Sequence, residues 1–305
     1  MSPPPPSAMP NAWPDSVTEI VPGALYAVGA RLDESRPVPW LPRGGRGDLP
    51  MQAYAFRSED KFVLIDGGLS VHRAALSAGL TALAKGARER LMMITRRDTD
   101  TIITMPWMLR DLGIEKIFLG GGDQGPLAFF EVLERAEAEA RMYVVSRSVP
   151  TGWLTPGSSM RVGPFRLEYA RTPIRVLATN WIYEASTKTL FTSDCFAFLR
   201  CPSEETPLVA RPAPRDISAD RLIDFLDVKF DWLRAIDTRA VAKDFDAIFE
   251  GREIDRICPA YGRVIEGHDN VALLRANTLE ALARMAKLPR RSLIEGFDWS
   301  CCEAP

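Results

Sequence analysis

The stretch LMMITRRDTDTI, from Leu91 to Ile102, shows the succession of strand, polar loop and helix that decides the fold. Its first five residues are apolar or β-branched, which predicts a buried strand. The six polar residues that follow predict a loop, and a helical pattern then runs from Trp107 to Leu112, with Gly113 as the residue that ends the helix. A strand, a charged loop and a helix therefore follow one another, and Arg and Asp side chains cluster at the end of the strand.

Strands and helices alternate on both sides of this stretch. Before it, a hairpin whose second strand ends in FVLIDGG (62–68) leads into a helix, predicted from the spacing of its leucines between about His72 and Arg90. After it, the segments KIFLGG (116–121), PLAFFEVLERAEAEAR (126–141) and MYVVS (142–146) predict a strand, a helix and a strand. This half of the chain therefore predicts a βαβαβ arrangement.

The second half begins with hairpins and ends with helices. MRVGPFRLEYA (160–170) and NWIYEASTKTLFTSD (180–194) each predict two strands joined by a tight turn. Helical patterns follow from Asp220 to Phe249, then a strand, IDRIC (254–258), and a helix from about Asn270 to Lys287. This order predicts an α/β (α+β) fold of four αββα layers, in which two mixed sheets face each other and helices lie outside.

The N-terminal segment MSPPPPSAMPNAWPDS (1–16) differs from the rest of the chain. Its prolines fix φ and lack the amide donor, so we expect an extended tail followed by a single domain over 17–305. Residues 36–50, RPVPWLPRGGRGDLP, are rich in Pro, Gly and Arg and predict a loop.

Composition limits the partners and the compartment. Apolar residues make up 46% of the chain and charged residues 26%, as in globular proteins with a sizeable core. The formal net charge of −2 provides no field for nucleic acid or anionic membranes, and no apolar run is long enough to cross a bilayer. The five cysteines are odd in number and irregularly spaced, which argues against a disulfide framework. We expect a cytoplasmic protein whose partner is a small molecule or another protein.

Five segments in a fixed order carry a resemblance to a known family. They are VPGALYAVGA (21–30), FVLIDGG (62–68), ITRRDTDTI (94–102), TLFTSDCFAF (189–198) and ICPAYGRVI (257–265). Together they resemble the metallo-β-lactamase superfamily and, within it, the oxygen-reducing diiron domain of flavodiiron proteins. The resemblance implies the αββα sandwich and a possible homodimer. For an enzyme, it implies a hydrolase of that superfamily or an oxygen-reducing oxidoreductase.

The same resemblance identifies the positions where that family holds its two metal ions. The family's loop reads His-x-(His/Glu)-x-Asp-His; here the loop consists of Arg96, Arg97, Asp98, Thr99, Asp100 and Thr101. Arg175 stands where a further histidine is expected, Asp194 retains the bridging aspartate, and Tyr261 replaces the last histidine. The chain's two histidines, His72 and His268, fall on none of these positions. The histidine-rich site therefore cannot form.

The remaining side chains leave alternatives open. Asp98, Asp100 and Asp194 are candidates for a rebuilt carboxylate site for Fe, Mn or Zn, although carboxylates by themselves suit Mg²⁺ or Mn²⁺ better than Zn²⁺. Arg96 and Arg175 compete with any metal, since a guanidinium is always charged and cannot be a ligand. Pairing of Asp with Arg, and no metal cofactor, is the preferred interpretation. Capping of a helix is an alternative role for Asp100. Cys195, directly after Asp194, is a nucleophile candidate if the arginines lower its pKa.

These positions define a predicted ligand pocket and three hypotheses on function. The pocket consists of Arg96, Asp98, Asp100, Thr101, Arg175, Asp194 and Tyr261. The first hypothesis is a noncatalytic or metal-independent protein, a pseudoenzyme, that binds a small molecule or a protein partner there. The second is a metal-dependent hydrolase or diiron-type oxidoreductase with a rebuilt carboxylate site. The third is a structural, dimeric subunit, because a fold does not fix a function.

Overall fold

The computed structural model describes residues 16–32, 47–96, 98–120, 150–176 and 179–289. The strands in these ranges are β1 (Val17–Val21), β2 (Leu25–Leu32), β3 (Leu49–Arg57), β4 (Lys61–Ile65), β5 (Glu89–Ile94), β6 (Lys116–Gly120), β7 (Thr151–Leu154), β8 (Ser159–Val162), β9 (Phe165–Arg171), β10 (Asn180–Glu184), β11 (Thr189–Ser193), β12 (Val209–Ala210), β13 (Arg256–Pro259) and β14 (Val264–Glu266). The helices are α1 (Arg73–Ala84), α2 (Thr99–Ile102), α3 (Met105–Asp111), α4 (Ala219–Lys229), α5 (Thr238–Ala247) and α6 (His268–Met285). Short 3₁₀ segments span Ser70–His72, Pro214–Ile217 and Asp231–Ala235.

The strands form two mixed sheets of seven strands each. In the first sheet the order is β1-β2-β3-β4-β5-β6-β7; β1 to β4 pair antiparallel with one another, and β4 to β7 pair parallel. In the second sheet the order is β12-β14-β13-β11-β10-β9-β8; β8 to β11 pair antiparallel with one another, and β11 pairs parallel with β13. Strands β4 and β11 both lie at sheet interiors, and the residues that follow them meet in the candidate site.

Three apolar clusters show that the layers follow the order helix, sheet, sheet, helix. One cluster joins α1 and α3 to the outer face of the first sheet, and another joins α4, α5 and α6 to the second sheet. The third lies between the sheets, where the Phe56 ring packs edge-on against Phe191 at a centroid distance of 5.6 Å. Apolar area buried on both faces of each sheet is the main stabilising contribution to such a sandwich. The predicted four-layer architecture is confirmed.

Most predicted elements are present, with differences at their ends. The three predicted hairpins form as β3-β4, β8-β9 and β10-β11. The first helix ends at Ala84 rather than near Arg90, because the left-handed Gly86 (φ 82°) turns the chain into β5. Strand β3 begins at Leu49, inside the predicted loop of residues 36–50.

The helical region from Asp220 to Phe249 is divided into α4, a 3₁₀ turn and α5. Phe230 leaves helical geometry (φ −127°, ψ 52°), and the Asp237 carboxylate caps the next helix by accepting the backbone N–H of Arg239. The helix predicted at 126–141, the strand at 142–146 and most of the N-terminal tail lie outside the described residues. Among the described helices, none is both long enough and apolar enough to cross a membrane.

Candidate functional site

Three polar residues join the two sheets at the base of the candidate site. Asp66 follows β4, Thr95 follows β5, and Ser193 ends β11. The Thr95 N–H donates to Asp66 Oδ1 (2.8 Å), and Thr95 Oγ1 lies 2.7 Å from Asp66 Oδ2 and 2.8 Å from Ser193 Oγ. Asp66 and Ser193 both adopt left-handed backbone conformations, with φ of 59° and 55°. Such strained conformations persist where the surrounding structure holds them, and here hydrogen bonds between the sheets do so.

The Asp66 carboxyl is buried and titrates near neutral pH. Burial raises its pKa to about 7, against the opposing effect of the hydrogen bonds from Thr95. When ionised, Asp66 accepts from both the N–H and the hydroxyl of Thr95, and the Ser193 hydroxyl, 2.8 Å from Thr95 Oγ1, continues the chain. The base of the site therefore contains a carboxyl that can hold a proton at physiological pH.

Arg96 lies at the centre of the site, directly after Thr95. It is only 3% exposed, and its main chain forms an isolated β-bridge with Thr179. Its Nη2 pairs with the Asp100 carboxylate, and its Nη1 donates to Ser193 Oγ (2.9 Å) and lies 3.5 Å from Asp194 Oδ1.

The third carboxylate around Arg96 is more open to solvent. The Nε of Arg96 lies 3.6 Å from Asp98 Oδ2, and the Asp98 side chain is 41% exposed. One buried guanidinium therefore faces three carboxylates, and two of these, on Asp100 and Asp194, are themselves buried.

The electrostatics of this cluster favour a permanently charged Arg96. Burial by itself would lower the pKa of Arg96, but Asp194 and then Asp100 reverse this effect and hold the pKa above its ordinary value. Burial raises the pKa of Asp100, with the Arg96 guanidinium opposing the shift. Burial, and then the neighbouring Asp100, also raise the pKa of Tyr261, so its phenol stays protonated and acts as a hydrogen-bond partner of Asp100.

A second cation at the site, Lys229, was not predicted from the sequence. Its Nζ lies 3.1 Å from Asp194 Oδ2, and its side chain is largely buried. Lys229 is the last residue of α4 and follows the buried Leu226 by three positions, so it lies on the helix face that packs on the second sheet. That spacing was the one signal available in the sequence. Asp194 therefore lies between Arg96 and Lys229.

The structure brings together Arg96, Asp98, Asp100, Asp194 and Tyr261, and it gives Thr101 a supporting role. Thr101 is fully buried, and its Oγ1 lies 2.5 Å from the carbonyl of Arg96 and 2.8 Å from that of Asp98, which holds the loop in place.

Two of the sequence-based expectations on the site residues need correction. The carboxylate of Asp100 pairs with Arg96 and does not cap a helix; the main chain of Asp98 begins α2 by accepting from the N–H groups of Thr101 and Ile102. Arg175 is not part of the ion-pair network. It is half-buried in the wall of another cavity, beside Arg171 and Trp232. Lys229, and not Arg175, is the second cation next to the aspartates.

The other reactive side chains do not join the cluster. Cys195 is fully buried, and burial raises the pKa of its thiol well above the usual value, so it is not an activated nucleophile. His268 Nδ1 lies 3.3 Å from Asp255 Oδ1 at the exposed start of α6, and His72 precedes α1. Within the part of the chain that the structure describes, no three His, Cys, Asp or Glu side chains are grouped as a metal site. Arg97 lies outside that part.

Comparison with known proteins gives matches of structure and none of sequence. No family model matches the chain, and no curated protein matches it. Rubredoxin oxygen:oxidoreductase from Desulfovibrio gigas is similar in structure with a TM-score of 0.64 and 16% identity, over 88% of this chain and 61% of that one. The Flv1 flavodiiron core from Synechocystis sp. PCC6803 has a TM-score of 0.59 and 14% identity, over 88% and 60%.

A third match has a length close to that of this chain. A fragment (1–254) of a putative diflavin flavoprotein from Nostoc sp. PCC 7120 has a TM-score of 0.57 and 14% identity, over 88% of this chain and 96% of the fragment. By contrast, this chain spans about three fifths of the length of the first two proteins.

These matches and the two facing sheets establish the class of fold: the chain has the metallo-β-lactamase fold. Within that class, its arrangement of strands and helices is similar to the diiron cores of flavodiiron proteins. At this level of sequence identity, the similarity concerns the fold alone. The function has to be argued from the side chains of the site.

Proposed function

We propose that this chain is a metal-independent protein of the metallo-β-lactamase fold. Arg96 and Lys229 supply the positive charge that two metal ions supply in other proteins with this fold. It is noncatalytic and binds a small molecule or a protein partner. The observation that carries the proposal is the position of Arg96, a buried guanidinium in contact with the carboxylates of Asp98, Asp100 and Asp194.

The charges of the buried groups support this proposal. Asp100 and Asp194 are the buried carboxylates within ion-pair distance of Arg96 and Lys229, so the charges of these four groups cancel. Asp98 is open to solvent, where its charge is hydrated. A buried carboxylate is tolerated when it is paired and hydrogen-bonded, and each of the two has a cation within ion-pair distance.

The side chains present do not fit the metals that the fold implies. A structural or catalytic metal needs at least three converging ligands, and arginine supplies none. The guanidinium of Arg96 lies between the carboxylates that would have to act as ligands, and both histidines are placed elsewhere in the fold.

Metal analysis of the purified protein tests the proposal. We expect far less than one equivalent of Fe, Zn or Mn per chain, before and after incubation with each metal and gel filtration. Asp98→Ala and Asp194→Ala are then expected to leave the metal content unchanged, as is the control Asp220→Ala, whose carboxylate lies on the exposed face of α4. One or more tightly held equivalents, lost in the first two variants and kept in the control, would instead favour the carboxylate-site hydrolase or diiron-type oxidoreductase.

We also propose a single domain over residues 17–305, preceded by a tail that lies outside it, and a homodimer of this domain. The dimer follows from the resemblance to flavodiiron proteins, and light scattering coupled to gel filtration measures it.

A cytoplasmic location is proposed because the described cysteines, Cys195, Cys201 and Cys258, are free and buried, which suits a reducing compartment.

A further inference from the structure

A cavity of about 580 Å³ opens between the end of β9 and the segment from α4 to α5. Its size lies in the range of small-molecule sites, which is about 300–1,000 Å³. The side chains that the argument uses are those of Arg171, Arg175, Trp232, Asp244 and Arg252. None of these belongs to the ion-pair network around Arg96.

The lining carries an excess of positive charge, since three arginines face one aspartate. Arg252 already pairs with Glu168 and donates to the carbonyl of Ile248 (2.6 Å). The side chains of Arg171 and Arg175 form neither an ion pair nor a hydrogen bond with any other described residue. Within the described part of the chain, both guanidinium groups are therefore available to a ligand in the same wall.

The two free arginines act on each other. Burial, and then the charge of Arg171, lower the pKa of Arg175. A guanidinium nevertheless remains charged at physiological pH, so two positive charges persist in this wall, one on the half-buried Arg175 and one on the exposed Arg171. An oxyanion between them would relieve this repulsion and accept hydrogen bonds from both groups, because the guanidinium fork matches carboxylate and phosphate oxygens.

The same cavity offers a flat apolar surface. Trp232 is half-buried, packs on the apolar cluster of the second sheet and lines the cavity together with Val241 and Ile248. An aromatic face next to fixed cations is suited to a ligand that has an apolar ring and a charged group.

We propose that this cavity binds a small organic oxyanion, a carboxylate or phosphate monoester that carries a flat apolar group. Arg171 and Arg175 hold the anionic oxygens, and the ring of Trp232 contacts the apolar group. This inference rests on the proposed function, since it names the class of ligand that the protein binds.

Titration calorimetry on the full chain tests the inference with four probes: phenyl phosphate, benzoate, inorganic phosphate and benzyl alcohol. We expect saturable binding of phenyl phosphate or benzoate, and the tighter of the two identifies a phosphate or a carboxylate ligand. Benzyl alcohol, which lacks the charge, and inorganic phosphate, which lacks the ring, are each expected to bind at least about tenfold more weakly.

Variants separate the cavity from general charge effects. Arg171→Gln and Arg175→Gln are each expected to weaken binding of the tighter anion by about tenfold or more. Trp232→Leu is expected to reduce the preference for phenyl phosphate over inorganic phosphate. The matched control Arg215→Gln removes an arginine that is 90% exposed and outside the cavity, and it should leave binding unchanged. Thermal melts confirm that each variant is folded.

Two results would overturn the inference: no saturable binding of either organic anion at millimolar concentration, or an equal loss of affinity in Arg215→Gln and Arg175→Gln. Metal content, measured on the same preparations, is a separate readout for the proposed function. A parent protein that binds the anion through Arg171 and Arg175 and also holds a full equivalent of metal supports the cavity assignment and overturns metal independence.

Discussion

Replacement of Arg96 by alanine tests the claim that this guanidinium stands in for metal charge. In the parent, Arg96 pairs with the buried Asp100 and Asp194 and donates to Ser193 Oγ. The substitution removes the cation and leaves both carboxylates in place. Asp194 then keeps Lys229, whereas Asp100 keeps, among the described residues, the hydrogen bond with Tyr261.

The expected loss of stability follows from the burial of the partners. Breaking a buried ion pair from one side costs about 3–5 kcal/mol, because a charge remains in a poorly solvated place. The pair with Asp98 adds little, since that side chain is 41% exposed and solvent screens it. We therefore expect Arg96→Ala to lower the free energy of unfolding by about 3–5 kcal/mol at pH 7.

Urea denaturation, monitored by tryptophan fluorescence, measures this loss. The pH dependence of the loss gives a second readout. In the variant, Asp100 has lost its cation, so its folded-state pKa lies further above the unfolded value than it does in the parent. The folded variant therefore holds this proton more tightly than the unfolded chain. Stability relative to the parent is therefore regained as the pH falls through that folded-state pKa. Adding Asp100→Asn to Arg96→Ala should restore part of the loss at pH 7, because no charge is then stranded.

The matched control is Arg211→Ala, which removes an arginine that is 80% exposed and lies 3.0 Å from Glu266. We expect a loss of about 0–1 kcal/mol there. If Arg96→Ala unfolds at the same urea concentration as the parent, the pocket is open to solvent and the charge argument fails. A metal site built on the three aspartates then becomes the better account.

Two further predictions concern the groups next to Arg96. Lys229→Met leaves Asp194 with one cation in place of two, so we expect a loss of about 1–3 kcal/mol in the same urea assay; no change would show that Lys229 is solvated. Burial raises the folded-state pKa of Asp66 to about 7 from an ordinary value of 3.8, so the folded parent binds this proton more tightly and loses stability as the pH rises from about 4 to 7. The shift of about three units corresponds to on the order of 4 kcal/mol. Asn also tolerates the left-handed backbone, so Asp66→Asn should remove this part of the slope of the unfolding free energy against pH, measured by denaturation between about pH 4 and 7. An identical slope in both proteins would contradict the shifted pKa.

The elements that the structure describes in the N-terminal half of the fold were predictable because their signals are local. The alternation of FVLI and LMMIT with helical patterns specifies buried parallel strands and the helices that cover them. The differences, such as the end of α1 at Ala84 and the start of β3 at Leu49, occur where a glycine or a distant pairing strand decides the boundary. Strand β3 extends to Leu49 because it pairs along its length with β2, and this pairing is not encoded in the residues of the loop itself.

The candidate site was only partly predictable for the same reason. The sequence alone determined which residues form the loop, that Arg stands at position 96 and Asp at position 194, and where the two histidines fall, since each is a residue type at a known place along the chain. Only the tertiary structure decided that Lys229, and not Arg175, faces Asp194, because that contact depends on how α4 packs against the second sheet. It also decided the pKa of Asp66, which burial sets. Contacts between distant segments and the exclusion of water arise only when the layers assemble, so no local pattern specifies them.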